Sequence, residues 1–328
     1  MDVMIKDNRT SFSKTSYSNI KKNKLIEEFT KSLYYGDIED AIKYTGEMIA
    51  SFYIKELWDT YILFYCKYVN IYNIKFPIFL YKQYTVFREI ANSHDNYQIR
   101  NNMNIRNIFF YISIITCGLT KNNTIELKKI KIELSIDNLQ KYLCADSQSY
   151  ITKYLKKNVP KDYFISLNEF TYHLKVTNKL EYIYYWINWI IVYDSLQYKN
   201  KNILECEDRD IYMKSPGSSN IIWVLWDIIL DNCENNDVIK LSINALFDLF
   251  TIRYVRANNK KKKILIYLAC LFIINKHMDL NVKLKCNMSN AKIMEKNNDT
   301  FRELKKKQII NKNIDEDKES IYDIEFII

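Results

Sequence analysis

Apolar residues recur at helical spacing through most of this chain. Near its start, Leu25, Phe29 and Leu33 fall at positions i, i+4 and i+8 and so line one face of a helix. Gly36 follows directly after this helix, where a left-handed glycine commonly ends one. The following residues resume the apolar spacing, so the segment 24–51 is predicted to form a tight helical hairpin.

The same spacing predicts further helices, at about residues 55–69, 77–90, 103–118, 160–176, 179–196, 219–232, 236–255 and 262–277. Only the stretch 119–146 is ambiguous, because 124–134 alternates well enough to be a short strand but has no evident partner strand. The chain has only 4 Gly and 3 Pro, which favours long helices over a β-sandwich. The predicted fold class is all-α, a multi-helix array of stacked helical hairpins.

Two segments of the chain resemble each other at a fixed offset. Their shared identities pair Glu28, Phe29, Thr30, Leu33, Ile42, Tyr44 and Ile49 with Glu169, Phe170, Thr171, Leu174, Ile183, Tyr185 and Ile190. Both segments have the pattern of two helices joined by a tight turn. Two interpretations stay open: an internally duplicated hairpin, which would build a solenoid-like array, or chance identity in a chain of biased composition.

Changes in composition divide the chain into four predicted regions. Residues 1–20 are polar and are expected to form a disordered leader. Residues 21–146 form an N-terminal helical half, and 147–280 a C-terminal helical half packed with it. The apolar periodicity fades after that, and 281–328 changes from basic to acidic, so a flexible charged tail is expected there.

Cysteine usage and hydropathy indicate the compartment. The seven cysteines are an odd number and show no C-x-x-C spacing, which argues against a disulfide framework or a zinc site. The pattern indicates reduced thiols in a cytosolic or nuclear compartment, and the predicted localisation is intracellular and cytoplasmic. The first residues lack the apolar core of a signal peptide. The longest apolar run, 264–274, is too short to span a bilayer, so no membrane association is predicted.

Known catalytic motifs are missing from the sequence. There is no G-x-x-x-x-G-K-S/T, G-x-G-x-x-G or G-x-S-x-G, which argues against an NTPase, a Rossmann enzyme and an α/β-hydrolase. No catalytic residue, cofactor or metal is therefore predicted. Glu169 and His173 share a helix face, but a metal site needs more ligands, so a core histidine is favoured. A solvated loop is favoured for the acidic cluster of Cys206, Glu207, Asp208 and Asp210.

One basic cluster is a candidate for binding nucleic acid. The formal net charge is +9, which permits such contact without requiring it. The densest group of basic side chains lies between two predicted helices and comprises Arg253, Arg256, Lys260, Lys261, Lys262 and Lys263. These side chains could neutralise phosphates, although a solvated interhelical turn gives the same pattern.

Several segments together resemble an uncharacterised helical protein family of nucleocytoplasmic large (giant) DNA viruses. The segments are LYYGDIE at 33–39, IRNN at 99–102, LNEFTYHL at 167–174, YWINWII at 185–191 and IWVLWD at 222–227. The resemblance covers about residues 24–275. It implies a viral source and the host cytoplasm, and it implies no particular activity.

A second resemblance concerns residues 30–110, which are similar to the C-terminal helical region of RarA-type clamp-loader-like ATPases. The matching positions are Ser32, Gly36, Asp37, Ala41, Tyr44, Met48, Ile49, Leu57 and the connection 73–77. In that family the region acts in oligomerisation, which implies a role in assembly or replication. The ATPase module itself is missing from this chain, so no ATPase activity is implied.

The sequence therefore favours a non-enzymatic helical scaffold or adaptor of an intracellular, viral assembly linked to genome replication or transcription. Such a protein is expected to bind a protein partner or to self-associate. The alternative is direct nucleic-acid binding through the basic cluster described above.

Overall fold

The computed structural model describes residues 3–7, 9, 12–122, 132, 134, 139–155, 159–206, 217–233, 236–275, 277–286 and 288–307. Contacts divide the chain into two units. The first unit comprises Met1–Thr124 and Val282–Ile328, and the second comprises Ile125–Asn281. The predicted boundary between halves, after residue 146, therefore differs from the observed one. Within the described ranges the regular elements are helical, which confirms the all-α fold class.

The α-helices of the described part follow in chain order: α1 Lys22–Tyr35, α2 Ile38–Ala50, α3 Ile54–Phe64, α4 Phe76–Ala91, α5 Asn96–Asn101, α6 Met103–Cys117, α7 Phe164–Tyr172, α8 Leu180–Lys199, α9 Ile222–Asp231, α10 Asp237–Thr251, α11 Asn259–Ile274 and α12 Asn290–Lys306. Two α-helices continue into π-helical turns, α3 into Tyr65–Val69 and α7 into His173–Thr177. Short 3-10 turns occur at Asn70–Asn73, Gln140–Tyr142, Ser149–Tyr154, Lys161–Tyr163 and Arg256–Asn258.

The predicted hairpin at 24–51 is confirmed as α1 and α2. Gly36 ends α1 with φ +75°, and its N–H donates to the carbonyl of Ser32. A Cβ at Gly36 would also lie 3.1 Å from the carbonyl oxygen of Cys117, so glycine suits both the turn and the close approach. The side chain of Asp37 accepts a hydrogen bond from Asp40 N at 3.0 Å and caps α2.

The segment that the sequence pairs with this hairpin is also a hairpin. Helix α7 and its π-helical turn end at Asn178, which is left-handed with φ +54°, and α8 follows. In the alignment of the two segments, Thr177 is the counterpart of Gly36, so the left-handed Asn178 lies one position later. A π-helical turn accommodates one extra residue, which accounts for this shift. Internal duplication stays a prediction, since similar turns alone do not establish it.

Helix α6 is the centre of the first unit and packs against α1, α2, α4, α5 and α12. Buried aromatic rings surround it: Trp58 of α3 lies with its ring centroid 5.2 Å from that of Phe109. A buried chain of hydroxyl groups links three helices, because Ser113 Oγ lies 2.8 Å from Tyr61 Oη and 2.6 Å from Thr45 Oγ1. Each hydroxyl thus has a partner inside the apolar core, as burial requires.

In the second unit, α8 packs against α7 and α11, and α9 and α11 pack against α10. The indole rings of Trp186, Trp223 and Trp226 are fully buried among these helices. Trp223 Nε1 donates to the carbonyl of Gly217 at 2.7 Å. These tryptophans therefore form part of the core of the unit.

The prediction of a disordered leader at 1–20 is wrong for the residues that the structure describes there. Apolar side chains of this segment are buried, namely Val3, Ile5, Phe12 and Tyr17. The amide of Asn101 pairs with the backbone of Ile5, accepting from its N–H at 2.9 Å and donating to its carbonyl at 3.1 Å. The Asn101 side chain of α5 thus provides hydrogen-bond partners for the N–H and carbonyl groups of Ile5. With these groups paired, the segment can pack as part of the first unit.

The prediction of a flexible tail at 281–328 is wrong for α12. This helix packs against α2 and α6 and buries Ile293, Phe301 and Leu304, which lie on one helical face. The side chain of Ser289 caps its start. Residues 308–328 lie outside the described residues. So does the ambiguous segment 124–134, whose alternation would fit a short strand, apart from 132 and 134.

Among the helices that the structure describes, none combines the length and the apolar character needed to cross a membrane.

The close contact of α2 with α12 yields a test of the fold. A Cβ at Gly46 would lie 2.5 Å from Cγ2 of Thr300. We expect Gly46→Ala to push the helices apart and lower the free energy of unfolding by about 1–3 kcal/mol, although alanine is the better helix former. Adding Thr300→Ser, which removes the methyl group, should restore most of this loss. Urea unfolding of both variants measures the effect, and a stabilised Gly46→Ala would contradict this packing.

Candidate functional sites

The predicted basic cluster lies where α10 turns into α11. One of its two arginines, Arg256, forms an ion pair within the protein. Its guanidinium donates from Nε to Oδ2 of Asp194 at 3.0 Å and pairs through Nη2 with Oδ1. Asp194 is buried and also accepts from Asn220 at 3.2 Å. Burial opposes the charge on Arg256, but the hydrogen bonds to Asp194 and the charge interactions with Asp194, Tyr163 and Tyr254 together outweigh it, so the pKa of Arg256 is raised. This pair ties the turn to α8, which makes Arg256 a structural residue.

Two lysines of the cluster also bond within the chain. Lys262 Nζ donates to the carbonyl of Phe250 at 2.7 Å and to that of Ile252, and so caps the C-terminal end of α10. Lys263 Nζ donates to Oδ1 of Asn188, and burial together with Lys260 lowers the pKa of Lys263. Both ammonium groups are therefore half-buried and engaged with the backbone or side chains of the second unit.

The remaining members of the cluster differ in exposure. Lys260 and Lys261 are exposed in the first turn of α11, whereas Arg253 is half-buried with φ +47°. Positive charges at a helix N-terminus face the positive end of its dipole, an unfavourable position that a bound anion would relieve. The structure thus brings the predicted residues into one turn but leaves Lys260 and Lys261 as its exposed members.

A second candidate surface, the tyrosine surface, comprises Tyr34, Tyr35, Tyr68 and Tyr72. The rings of Tyr34 and Tyr35 meet edge to face with centroids 5.3 Å apart, and Tyr34 meets Tyr68 at 5.2 Å. Asn122 joins the other two, because its N–H donates to the carbonyl of Tyr68 at 2.6 Å and its side chain donates to Tyr72 Oη. Tyr35 is 79% exposed and Tyr72 is 40% exposed.

The third candidate is a group of potential metal ligands. Cys144, Glu169 and His173 place a thiol, a carboxylate oxygen and an imidazole nitrogen within 4.8 Å of one another. Glu169 and His173 are buried one helical turn apart, as their spacing predicts, whereas Cys144 is exposed. Cys144 could not be identified as a ligand from the sequence, because it lies in a segment without periodicity and no spacing relates it to the other two.

Hydrogen bonds fix the two buried members of this group. Oε2 and Oε1 of Glu169 accept from the backbone N–H groups of Cys144 and Ala145, each at 3.0 Å. His173 Nδ1 lies 2.8 Å from Thr177 Oγ1, and its Nε2 lies 3.6 Å from Glu169 Oε2. Burial, reinforced by Lys179, lowers the pKa of His173 to about 4, so the ring is neutral at pH 7.

The acidic cluster noted in the sequence is described only at Cys206. This residue is buried, and its N–H donates to the carbonyl of Ser219 at 2.7 Å. Glu207, Asp208 and Asp210 lie outside the described residues.

No protein-family model, curated protein or solved structure matches this chain.

Two double variants that remove the same charge test whether Lys262 and Lys263 stabilise the fold while Lys260 and Lys261 do not. Lys262→Gln with Lys263→Gln should lower the free energy of unfolding by about 1–2 kcal/mol, because buried carbonyl and amide oxygens lose their donors. Lys260→Gln with Lys261→Gln should leave stability within about 0.5 kcal/mol. Thermal or urea unfolding distinguishes the variants, and equal losses in both would contradict the assignment.

Proposed function

We propose that this chain is a non-enzymatic helical scaffold or adaptor that binds a protein partner in an intracellular assembly. The observation that carries this proposal is the tyrosine surface on the first unit. Tyrosine is enriched at protein interfaces because its ring contributes a large apolar area, while its hydroxyl group can still form a hydrogen bond once the ring is buried. An exposed group of such rings is therefore better suited to a protein partner than to bulk water.

The tyrosine surface is also held in place before any partner binds. Tyr35 is the last residue of α1, and the left-handed Gly36 directly follows it. Its ring packs against Tyr34, and Tyr72 is held through Asn122. Rings that are already ordered lose little conformational entropy on binding. More of the free energy gained by burying them therefore contributes to affinity.

The setting of the assembly is part of the proposal and is supported by the sequence. The resemblance to helical proteins of giant DNA viruses supports a viral assembly in the host cytoplasm. The resemblance of residues 30–110 to the oligomerising region of clamp-loader-like ATPases supports a link to genome replication or transcription. Self-association through the same surface is a form of this proposal.

Direct nucleic-acid binding is the second candidate, and the exposed Lys260 and Lys261 favour it. Fluorescence anisotropy with labelled single- and double-stranded DNA and RNA at two salt concentrations separates it from the scaffold. Binding that weakens with salt and falls in Lys260→Gln with Lys261→Gln would support this candidate. The absence of binding at low salt would eliminate it.

The scaffold proposal predicts that the tyrosine surface determines partner binding. Tyr35→Ala with Tyr72→Ala should weaken the complex roughly thirtyfold, equivalent to about 2 kcal/mol for loss of an interface hot spot. The matched control is Tyr97→Ala, which removes a 38% exposed ring of α5 from the same unit. Partners recovered with the tagged wild-type protein are titrated against all three proteins, and sedimentation velocity tests self-association.

Equal affinity of the partner for wild type and the double variant, with both folded by circular dichroism, would contradict a role for this surface. Equal weakening by the Tyr97→Ala control would contradict its specificity.

A further inference from the structure

We propose that Cys144, Glu169 and His173 form a zinc-binding site that clamps the segment around Cys144 to α7 and its π-helical turn. Glu169 lies on α7, and His173 is the first residue of the turn. Cys144 precedes the 3-10 turn at Ser149–Tyr154. The site lies within the second unit and is distinct from the tyrosine surface on the first.

The imidazole of His173 provides the first argument. Its side chain is only 1% exposed, and its Nε2 has no hydrogen-bond partner among the described residues. Burial without a partner is costly for a polar atom, and a metal ion would supply one. When Nδ1–H donates to Thr177 Oγ1, the lone pair of Nε2 is free to bind an ion. A hydrogen bond from the other ring nitrogen is the usual support of a ligating histidine.

The second argument is that the carboxylate is already oriented. The N–H groups of Cys144 and Ala145 hold both oxygens of Glu169, and neighbouring Asn168 donates to the carbonyl of Ser147 at 2.8 Å. These bonds anchor the segment that carries Cys144 to the same face of α7. The thiol therefore lies within 4.8 Å of the other two donor atoms with its backbone already held in place.

The distances suit a small tetrahedral ion. With metal–ligand lengths near those of zinc, nitrogen and oxygen ligands lie roughly 3.4 Å apart. The observed distance between His173 Nε2 and Glu169 Oε2 is 3.6 Å. The three donor atoms lie within 4.8 Å of one another, and the exposed Cys144 side chain can close the remaining gap by rotating.

The donor set selects the metal. A thiolate and an imidazole favour Zn²⁺ over Mg²⁺ or Ca²⁺, which prefer oxygen ligands. The charges of the Cys144 thiolate and the Glu169 carboxylate would balance that of the ion. The described residues supply three ligands, so a water molecule at the exposed side would complete the tetrahedron.

Cobalt(II) substitution tests this site directly, because tetrahedral Co²⁺ with a thiolate ligand gives visible ligand-field bands and a sulfur-to-metal charge-transfer band. We expect the full-length wild-type protein, reduced and stripped of metal, to bind one Co²⁺ with both features. Zn²⁺ should displace the Co²⁺, whereas Mg²⁺ and Ca²⁺ should not. Zn²⁺ should also raise the melting temperature of the protein.

Cys144→Ser is the decisive variant, since the exposed Cys144 can be changed without disturbing the core. It should lose the charge-transfer band, and its affinity for Zn²⁺ should fall at least about tenfold. Loss of a hydrogen bond that supports a metal ligand already lowers metal affinity by that factor, and loss of the ligand itself should cost no less. Cys233→Ser is the matched control, a half-buried thiol of the same unit. It should retain the wild-type spectrum and affinity.

Two results would overturn the proposal. One is that the folded wild-type protein takes up no Co²⁺ at neutral pH. The other is that Cys144→Ser keeps the wild-type charge-transfer band, which would assign the bound metal to another thiol. Glu169→Gln, which retains an oxygen acceptor for the two N–H groups, provides a second variant and should also weaken Zn²⁺ binding if it folds.

Discussion

The first unit depends on one buried guanidinium group, that of Arg106 on α6. The side chain is fully buried and donates to the carbonyls of Val3 and Arg100 and to Asn101 Oδ1, each at 2.8 Å. It also lies over the ring of Phe301 at 3.5 Å from the centroid. A buried cation is costly unless its donors are satisfied, so these contacts must form together. Arg106 therefore joins the N-terminal segment, α5 and α12 to the central helix.

The same use of basic side chains recurs in the second unit. Lys262 caps the end of α10, and Arg256 pairs with the buried Asp194. At least half of the basic side chains in the predicted cluster therefore form hydrogen bonds or ion pairs within the protein. The number of positive charges available at the surface is smaller than the net charge suggests. At His173 Nε2, by contrast, a buried polar atom has no hydrogen-bond partner among the described residues. The two units carry different candidate sites, an aromatic surface on the first and a cluster of potential metal ligands in the second.

The fold could be predicted from the sequence wherever neighbouring residues determine it. Apolar spacing and Gly36 predicted the hairpin of α1 and α2, and the spacing that buries Ile293 and Phe301 was also present in the sequence of α12. The ordered N-terminal segment could not be predicted, because its partners on α5 and α6 lie far away in the sequence. Cys144 was missed for the same reason, and charge patterns alone do not distinguish a capping lysine such as Lys262 from an exposed one.

Hydrogen exchange measured by mass spectrometry, on wild type and on Arg106→Lys, tests whether Arg106 holds the N-terminal segment and α12 in the first unit. Lysine keeps the charge but cannot satisfy three acceptors in this geometry. We expect segments 3–7 and 290–306, which contain Val3 and Phe301, to lose protection together, while α8 is unchanged. Arg88→Lys, at an exposed position of α4, is the control. Unchanged protection of both segments, or loss in only one, would contradict the account.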